Sequence, residues 1–187
     1  SKQYNCRFIR GNHDALCLDY LKNGKAPQQW VIHGGQSSID AYKHCPSAQI
    51  DRHIAFLEHL ENYIEIEARL FVHAGFSHPK GPKEEFHAHL VYWDRSLWET
   101  ARAAHHLTDK DSWQYPERLK LYKEIYIGHT PVQRIGASTP FCASNVWNVD
   151  TVAAFGGALS AINTATKEFW QSDPLPSLYP NELGRQA

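Results

Sequence analysis

Three short strings decide the fold of this chain: FIRGNHD at residues 8–14, LFVHAG at residues 70–75 and IYIGHT at residues 125–130. In each string, an apolar run leads into an Asn or His next to small residues. A buried strand that stops at a bend containing Gly delivers its last side chain to the rim of a sheet. Strands from distant parts of the sequence can converge there on one ion, and we expect Asn12, His73 and His129 to be its ligands.

An ordered set of motifs makes the sequence resemble the calcineurin-like metallophosphoesterases. The resemblance is to the branch of phosphoprotein phosphatases and symmetrical diadenosine tetraphosphatases. Its strongest strings are RGNHD at 10–14, FVHAG at 71–75 and IGHTPV at 127–132. Supporting segments are WVIHGGQSS at 30–38 with Tyr42, and VDT at 149–151 with FGGAL at 155–159, although Val152 stands where Gly is usual. Together these strings cover about residues 5–172.

The resemblance implies an α/β fold, specifically a four-layer α/β/β/α sandwich with the site at the strand ends. One domain is expected over residues 1–172, with a helical excursion over it at about 78–124. Residues 173–187 are expected to form a Pro-rich tail. Members of the family also carry upstream Asp-x-His and Gly-Asp-x-x-Asp motifs, whereas residues 1–10 contain no Asp, Glu or His. We therefore expect the C-terminal part of a longer enzyme, without its N-terminal strands.

The same resemblance assigns chemical roles to the converging residues. Asn12, His73 and His129 would bind the second of two divalent metal ions, and His13 would protonate the leaving group. Imidazole titrates near ~6.5, which suits a proton donor at working pH. Two ions ~3.5–4 Å apart lower the pKa of bound water towards ~7 and neutralise phosphate charge. Mixed N and O donors suit Mn, Fe or Zn better than Mg or Ca, and we expect Mn.

Two arginines are candidates for substrate binding. Arg95 resembles the arginine with which this branch holds substrate phosphate, and a guanidinium matches a phosphate edge with two parallel hydrogen bonds. It could equally pair with Asp94 beside it. Arg10 precedes Gly11 as in many protein phosphatases, and it could instead form a structural ion pair near the site.

Residue patterns also predict local structure. Strands are expected at 7–10, in a run that ends at His73, and at 124–127, 146–150, 157–163 and 167–171. Helices are expected from Asp14 to about residue 21, from Pro46-Ser47 onwards, at 96–106 and at about 116–123. His87 and His89 would share one face of a strand, without a complete set of ligands.

Composition narrows the class of partner and compartment. The formal charge of −1 favours neither nucleic acid nor an anionic membrane, and no apolar run approaches the ~20 residues of a membrane span. Four cysteines without a C-x-x-C spacing favour reduced thiols and a cytoplasmic protein. The expected partner is a phosphorylated protein or a small phosphoester.

Three functions remain open from the sequence. The first is a binuclear-metal phosphoester hydrolase of the Ser/Thr protein phosphatase type. IGHTPV supports this branch, because Pro131 stands where many other metallophosphoesterases have a second His ligand. The second is a diadenosine polyphosphate hydrolase, and the third is an inactive fragment or scaffold module that has lost the first-metal site.

Overall fold

A computed structural model describes residues 5–180 as a mixed α/β fold. The strands are β1 Tyr63–Ile66, β2 Arg69–Val72, β3 Glu124–Ile127, β4 Phe141–Ala143, β5 Val146–Asn148, β6 Ser160–Ile162 and β7 Phe169–Gln171. The helices are α1 Asn12–Asn23, α2 Gln28–Trp30, α3 Gln36–Tyr42, α4 Ser47–Glu58, α5 Ser96–Ala103, α6 Glu117–Lys120 and α7 Leu175–Leu178. Among residues 5–180, no helix has the length and apolar character needed to cross a membrane.

The strands form two sheets, one of five strands and one of two. The larger sheet has the order β1-β2-β3-β5-β4, and β6 pairs with β7. The expected mixed α/β class is confirmed, and the four-layer sandwich stays a prediction. The expected Pro-rich tail includes α7, and its residues 181–187 lie outside the described part of the chain.

The middle of the larger sheet supplies the core. Strands β2, β3 and β5 run parallel, and Leu70, Ile125 and Val146 lie side by side across them. None of these three side chains is exposed to solvent. On the opposite face, the rings of Phe71 and Tyr126 stack with centroids 4.9 Å apart. Both faces of these strands are therefore packed, which is the usual environment of a parallel sheet.

The parallel pairing places the ends of β2 and β3 at one edge. His73 follows the last residue of β2, and Gly128 follows the last residue of β3. The Gly128 N–H donates to the His73 carbonyl at 2.9 Å, which extends the pairing by one step. His129 comes next along the chain, so the sheet itself brings His73 and His129 together.

The segment before α1 is less regular than predicted. The strand expected at 7–10 is wrong, because Ile9 makes only an isolated parallel bridge with Glu61. Two backbone hydrogen bonds with Glu61 hold the segment there. The Arg10 N–H donates to the Glu61 carbonyl, and the Glu61 N–H donates to the Phe8 carbonyl. Among residues 5–180, this run pairs with no neighbour beyond that single bridge, so it stays irregular. It nevertheless delivers Asn12, the first residue of α1, to the sheet edge.

The predicted helical excursion contains short helices, and one local prediction within it is wrong. His87 and His89 do not lie on a strand, because Ala88–Tyr92 is a 3-10 helix. Its turns close through bonds such as the Leu90 N–H to the His87 carbonyl. The Val91 carbonyl accepts the N–H groups of Ala74 and Gly75, at 3.0 and 3.2 Å. This contact holds the helix beside the residues that follow His73.

A half-buried arginine joins this excursion to the segment that follows β2. Arg118, in α6, donates to the Phe76 carbonyl, the Ser96 hydroxyl and the Ser96 carbonyl at 2.9, 2.9 and 2.6 Å. It also donates to the Thr100 hydroxyl. Burial lowers the pKa of its guanidinium, against the charges of Asp94 and Glu85. One side chain therefore fixes α5, α6 and the segment after β2 relative to each other.

Candidate metal centre

Asn12 and His73 meet at the end of β2. Asn12 is a buried polar residue, and its Oδ1 lies 3.0 Å from His73 Nε2. Gly11, which precedes α1, makes this approach possible. A Cβ at Gly11 would lie 3.0 Å from Cε1 and 3.1 Å from Nδ1 of the His73 ring. Any larger residue there would have to displace the imidazole, so the glycine of RGNHD has a steric role.

His129 completes the group in an unusual backbone conformation. Its φ is +64°, in the left-handed region that residues with a side chain rarely adopt. Such a conformation costs on the order of 1–3 kcal/mol, and five other described residues that are not Gly share it. The His73 and His129 ring centroids are 5.1 Å apart, with the rings tilted by 58°. His129 Nε2 is buried and has no hydrogen-bond partner among the described residues.

Both imidazoles are held in the neutral form. Burial, with the nearby charges of His129 and His13, lowers the pKa of His73 to about 3. Burial also lowers the pKa of His129 to about 4, assisted by the charges of Arg95 and His13. A neutral imidazole keeps a lone pair on one nitrogen, which is the state that binds a metal. At neutral pH each imidazole therefore has one ring nitrogen with a free lone pair.

These atoms fit a metal ion. Asn12 Oδ1 and His73 Nε2 lie 3.0 Å apart, in hydrogen-bond contact, and both are donor types that bind divalent metal ions. The unpartnered Nε2 of His129 supplies a third donor. Within residues 5–180 no cluster of three or more His, Cys, Asp or Glu side chains could hold a metal. The described donors are therefore two imidazoles and one amide, and the pair of ions stays a prediction.

His13 lies next to this group on α1. Its charge acts on both His73 and His129, which places it within electrostatic reach of both rings. It also lines a cavity of about 570 Å³ on the side of α1 that faces α3 and α4. His13 thus directly follows the donor Asn12 in the chain and also lines this cavity. Its role as a proton donor stays a prediction.

Arg95 is exposed at the start of α5 and its charge reaches the site. The alternative pairing with Asp94 does not form, because the Asp94 carboxylate accepts hydrogen bonds from the Ser96 N–H, the Ser96 hydroxyl and the Leu97 N–H. No ion pair of Arg95 occurs within residues 5–180. Its positive charge lowers the pKa of His129. Arg95 is thus positioned for an anion near His129, and the phosphate role stays a prediction.

Arg10 points to the end of a helix. Its Nη2 donates to the carbonyls of Leu57 and Glu58, both at 3.1 Å. These carbonyls belong to the last turn of α4, where the helix dipole attracts a cation. The expected structural ion pair is replaced by this contact with carbonyl groups. Nothing in the geometry directs Arg10 to a phosphate, and its substrate role rests on the sequence alone.

Two residues near the centre were missed by the sequence reasoning. The Trp93 ring meets the His129 ring edge to face, with centroids 6.0 Å apart, and its backbone hydrogen-bonds the His129 imidazole. Arg134 also lies close enough for its charge to lower the pKa of His129. Trp93 could have been suspected from its place two residues before Arg95. Arg134 carried no signal, since it follows the IGHTPV string on a short 3-10 helix.

Comparison with known proteins supports the fold. No known protein family matches the sequence, and no curated protein matches it either. Among solved structures, the chain is similar to one described as "a putative diadenosine tetraphosphatase", with a TM-score of 0.53 and 17% identical residues. The match covers 92% of this chain and 70% of that one. At this identity the likeness shows a shared fold, which is compatible with the metallophosphoesterase fold that the motifs imply.

Proposed function

We propose that this chain belongs to a metal-dependent phosphoester hydrolase with its metal centre at Asn12, His73 and His129. The observation that carries the proposal is the meeting of these three side chains at one sheet edge. Their segments are far apart in sequence, and Asn12 and His73 alone are separated by 61 residues. A buried Nε2 of His129 without a hydrogen-bond partner among the described residues is costly unless a ligand uses it.

The residues of the chain would divide the work of hydrolysis. A bound divalent ion supplies activation of water and neutralisation of charge on the phosphate. Asn12, His73 and His129 hold and orient that ion. Arg95 binds a phosphate oxygen from the rim. His13 gives its proton to the oxygen of the leaving group as the phosphorus–oxygen bond breaks, which contributes typically ~10²–10⁴ to a rate.

The substrate class has two candidates. The motifs favour a phosphoprotein phosphatase of the Ser/Thr type that uses a pair of metal ions. Mn is the expected metal, with Fe and Zn as the alternatives. The fold neighbour, described as "a putative diadenosine tetraphosphatase", favours a hydrolase of dinucleoside polyphosphates. Assays of a phosphoserine peptide and of a dinucleoside tetraphosphate, on one preparation with Mn²⁺, separate them by the ratio of their kcat/KM values.

Metal titration tests the proposed centre directly. We expect the chain to bind Mn²⁺ with a dissociation constant at least tenfold lower than that of His73→Ala or His129→Ala, measured by calorimetry. His106→Ala is the matched control, because His106 is exposed and no contact places it at the site. Equal affinities for the parent, the site variants and the control would refute the centre. Metal binding without hydrolysis of any phosphoester would favour the inactive scaffold module.

A further inference from the structure

The cavity between α1, α3 and α4 has the size of a small-molecule site. Its volume is about 570 Å³, within the ~300–1,000 Å³ typical of such sites. Apolar side chains from α3 and α4 supply part of its wall, namely Ala41, Phe56 and Leu57. Tyr42, the last residue of α3, adds a second aromatic ring. The lining therefore favours a ligand that brings apolar groups of its own.

The charge on this lining is negative. Among the described residues that line the cavity, Asp14 is the only Asp, Glu, Lys or Arg. Its carboxylate forms no ion pair within residues 5–180, and its Oδ2 accepts the Gly11 N–H at 2.7 Å. Burial raises the pKa of the Cys17 thiol, which also lines the cavity, and the charge of Asp14 raises it further. A ligand in the same space would meet this charge, which attracts a cation and repels an anion.

The aromatic rings of the wall are held in place before any ligand enters. The Tyr42 hydroxyl is 3.0 Å from His53 Nδ1, and the two rings meet edge to face with centroids 5.7 Å apart. Phe56 packs against Phe8 with a centroid distance of 5.3 Å. The quadrupole of an aromatic ring attracts an organic cation, most strongly when the cation leaves water. Rings that are already fixed provide this attraction at little entropic cost.

Two other kinds of ligand fit this lining less well. Within residues 5–180 no group of three or more His, Cys, Asp or Glu side chains could hold a metal ion, so the cavity lacks the ligand set of a bare divalent cation. A phosphate would place its charge near Asp14 without a Lys or Arg on the lining to neutralise it. A quaternary ammonium surrounds its charge with carbon groups and donates no hydrogen bond. It therefore needs rings and a carboxylate rather than a full set of hydrogen-bond acceptors.

We infer that this cavity binds a small organic cation with a quaternary ammonium group. The ammonium lies against the rings of Tyr42 and Phe56, and Asp14 supplies the opposite charge. The remainder of the molecule occupies the part of the cavity lined by Ser38 and Gln49. This inference is independent of the proposed function, because it involves no metal donor and no step of hydrolysis.

A pair of ligands isolates the contribution of the positive charge. Choline and 3,3-dimethylbutan-1-ol have nearly the same shape, and only choline carries a charged nitrogen, where the alcohol has a carbon. Each is titrated by calorimetry into the metal-free full chain at pH 8, above the ~6.5 at which imidazole ordinarily titrates, because two histidines also line the cavity. We expect the dissociation constant of choline to be at least tenfold lower than that of the alcohol. Equal dissociation constants, or no binding of choline, would overturn the inference.

Substitutions test whether choline binds in this cavity. Asp14→Asn removes the charge but keeps an oxygen that can accept the Gly11 N–H, and Phe56→Leu removes a ring that is 49% exposed, so both variants should fold. Circular dichroism checks this. Each should weaken choline binding at least threefold, and Asp14→Asn should leave the affinity for the alcohol unchanged. Asp51→Asn and Phe86→Leu are matched controls at exposed positions that do not line the cavity, and they should keep the parent affinity. Parent-like choline affinity in both cavity variants would show that choline binds elsewhere and would refute the assignment.

Discussion

Removal of the Arg118 side chain should weaken the fold far more than removal of a surface arginine. Arg118→Ala deletes four hydrogen bonds, two to backbone carbonyls and two to hydroxyl groups. The Phe76 carbonyl belongs to a residue with no exposed surface, so water cannot easily replace the guanidinium there. The Ser96 hydroxyl donates to the Asp94 carboxylate and accepts from Arg118. The substitution leaves it with only the first of these two partners.

The expected size follows from these contacts. A hydrogen bond to a charged group contributes roughly 1.5–3 kcal/mol, and a buried acceptor left unpaired costs roughly 1–3 kcal/mol. The four bonds share one side chain and are not additive. Burial also disfavours the charged guanidinium and offsets part of their benefit. We therefore expect a loss of about 3–5 kcal/mol in the free energy of unfolding, a large fraction of the ~5–15 kcal/mol of a typical domain.

Urea denaturation, followed by tryptophan fluorescence, measures this loss. Arg102→Ala is the control, because Arg102 is an exposed arginine on α5 and forms no ion pair within residues 5–180. It should cost less than about 0.5 kcal/mol. An unchanged m-value would assign the shift in midpoint to stability rather than to a change in the unfolded state. If Arg118→Ala and Arg102→Ala unfold at the same urea concentration, the reasoning is refuted.

Three further predictions concern catalysis and acid stability. His13→Asn should lower turnover by ~10²–10⁴ with Mn²⁺ content unchanged, because it removes a proton donor and no metal donor; parent-like turnover would exclude His13 from the mechanism. Arg95→Lys keeps the charge but loses the two-pronged contact, so kcat/KM should fall with little change in melting temperature, whereas a lower melting temperature with intact kcat/KM would assign Arg95 to the fold. Burial would raise the pKa of Glu124, but Lys167 and Arg69 hold it at about 2, below its ordinary value of 4.5. The stabilisation that the ionised Glu124 gives to the fold is therefore complete above pH 4.5 and is lost as the pH falls towards 2. Between pH 7 and pH 3, the urea midpoint should fall more for the parent than for Glu124→Gln. Equal falls would contradict this prediction.

The sequence was most informative where a strand runs directly into a polar residue. The strand at 124–127 has the predicted bounds, and the strand before His73 ends one residue earlier, at Val72. Parallel pairing then follows from ordinary α/β topology, so the meeting of His73 and His129 could be anticipated. The helix beginning at Ser47 was also predicted, because an apolar stripe follows Pro46.

Other features could not be read from the letters, because they depend on contacts between distant residues. Strands β1 and β4 have four and three residues, too few to show an alternating pattern. The run at 7–10 looks like a strand, and whether it becomes one depends on the partners beside it. Arg10 resembles a substrate ligand in sequence, and only the position of the last turn of α4 explains its contacts. The left-handed backbone of His129 likewise accompanies a tight turn around it, in which the Thr130 N–H donates to the Gly128 carbonyl at 2.7 Å.

The wide spacing of the three donors in the sequence has a consequence for folding kinetics. Asn12 and His73 are 61 residues apart, so their meeting requires the closure of a long loop. Contacts of this kind form late or slowly. If the centre is absent from the transition state, Mn²⁺ should leave the refolding rate unchanged and slow unfolding. The ion would then prolong the lifetime of the folded chain without changing the rate at which it folds.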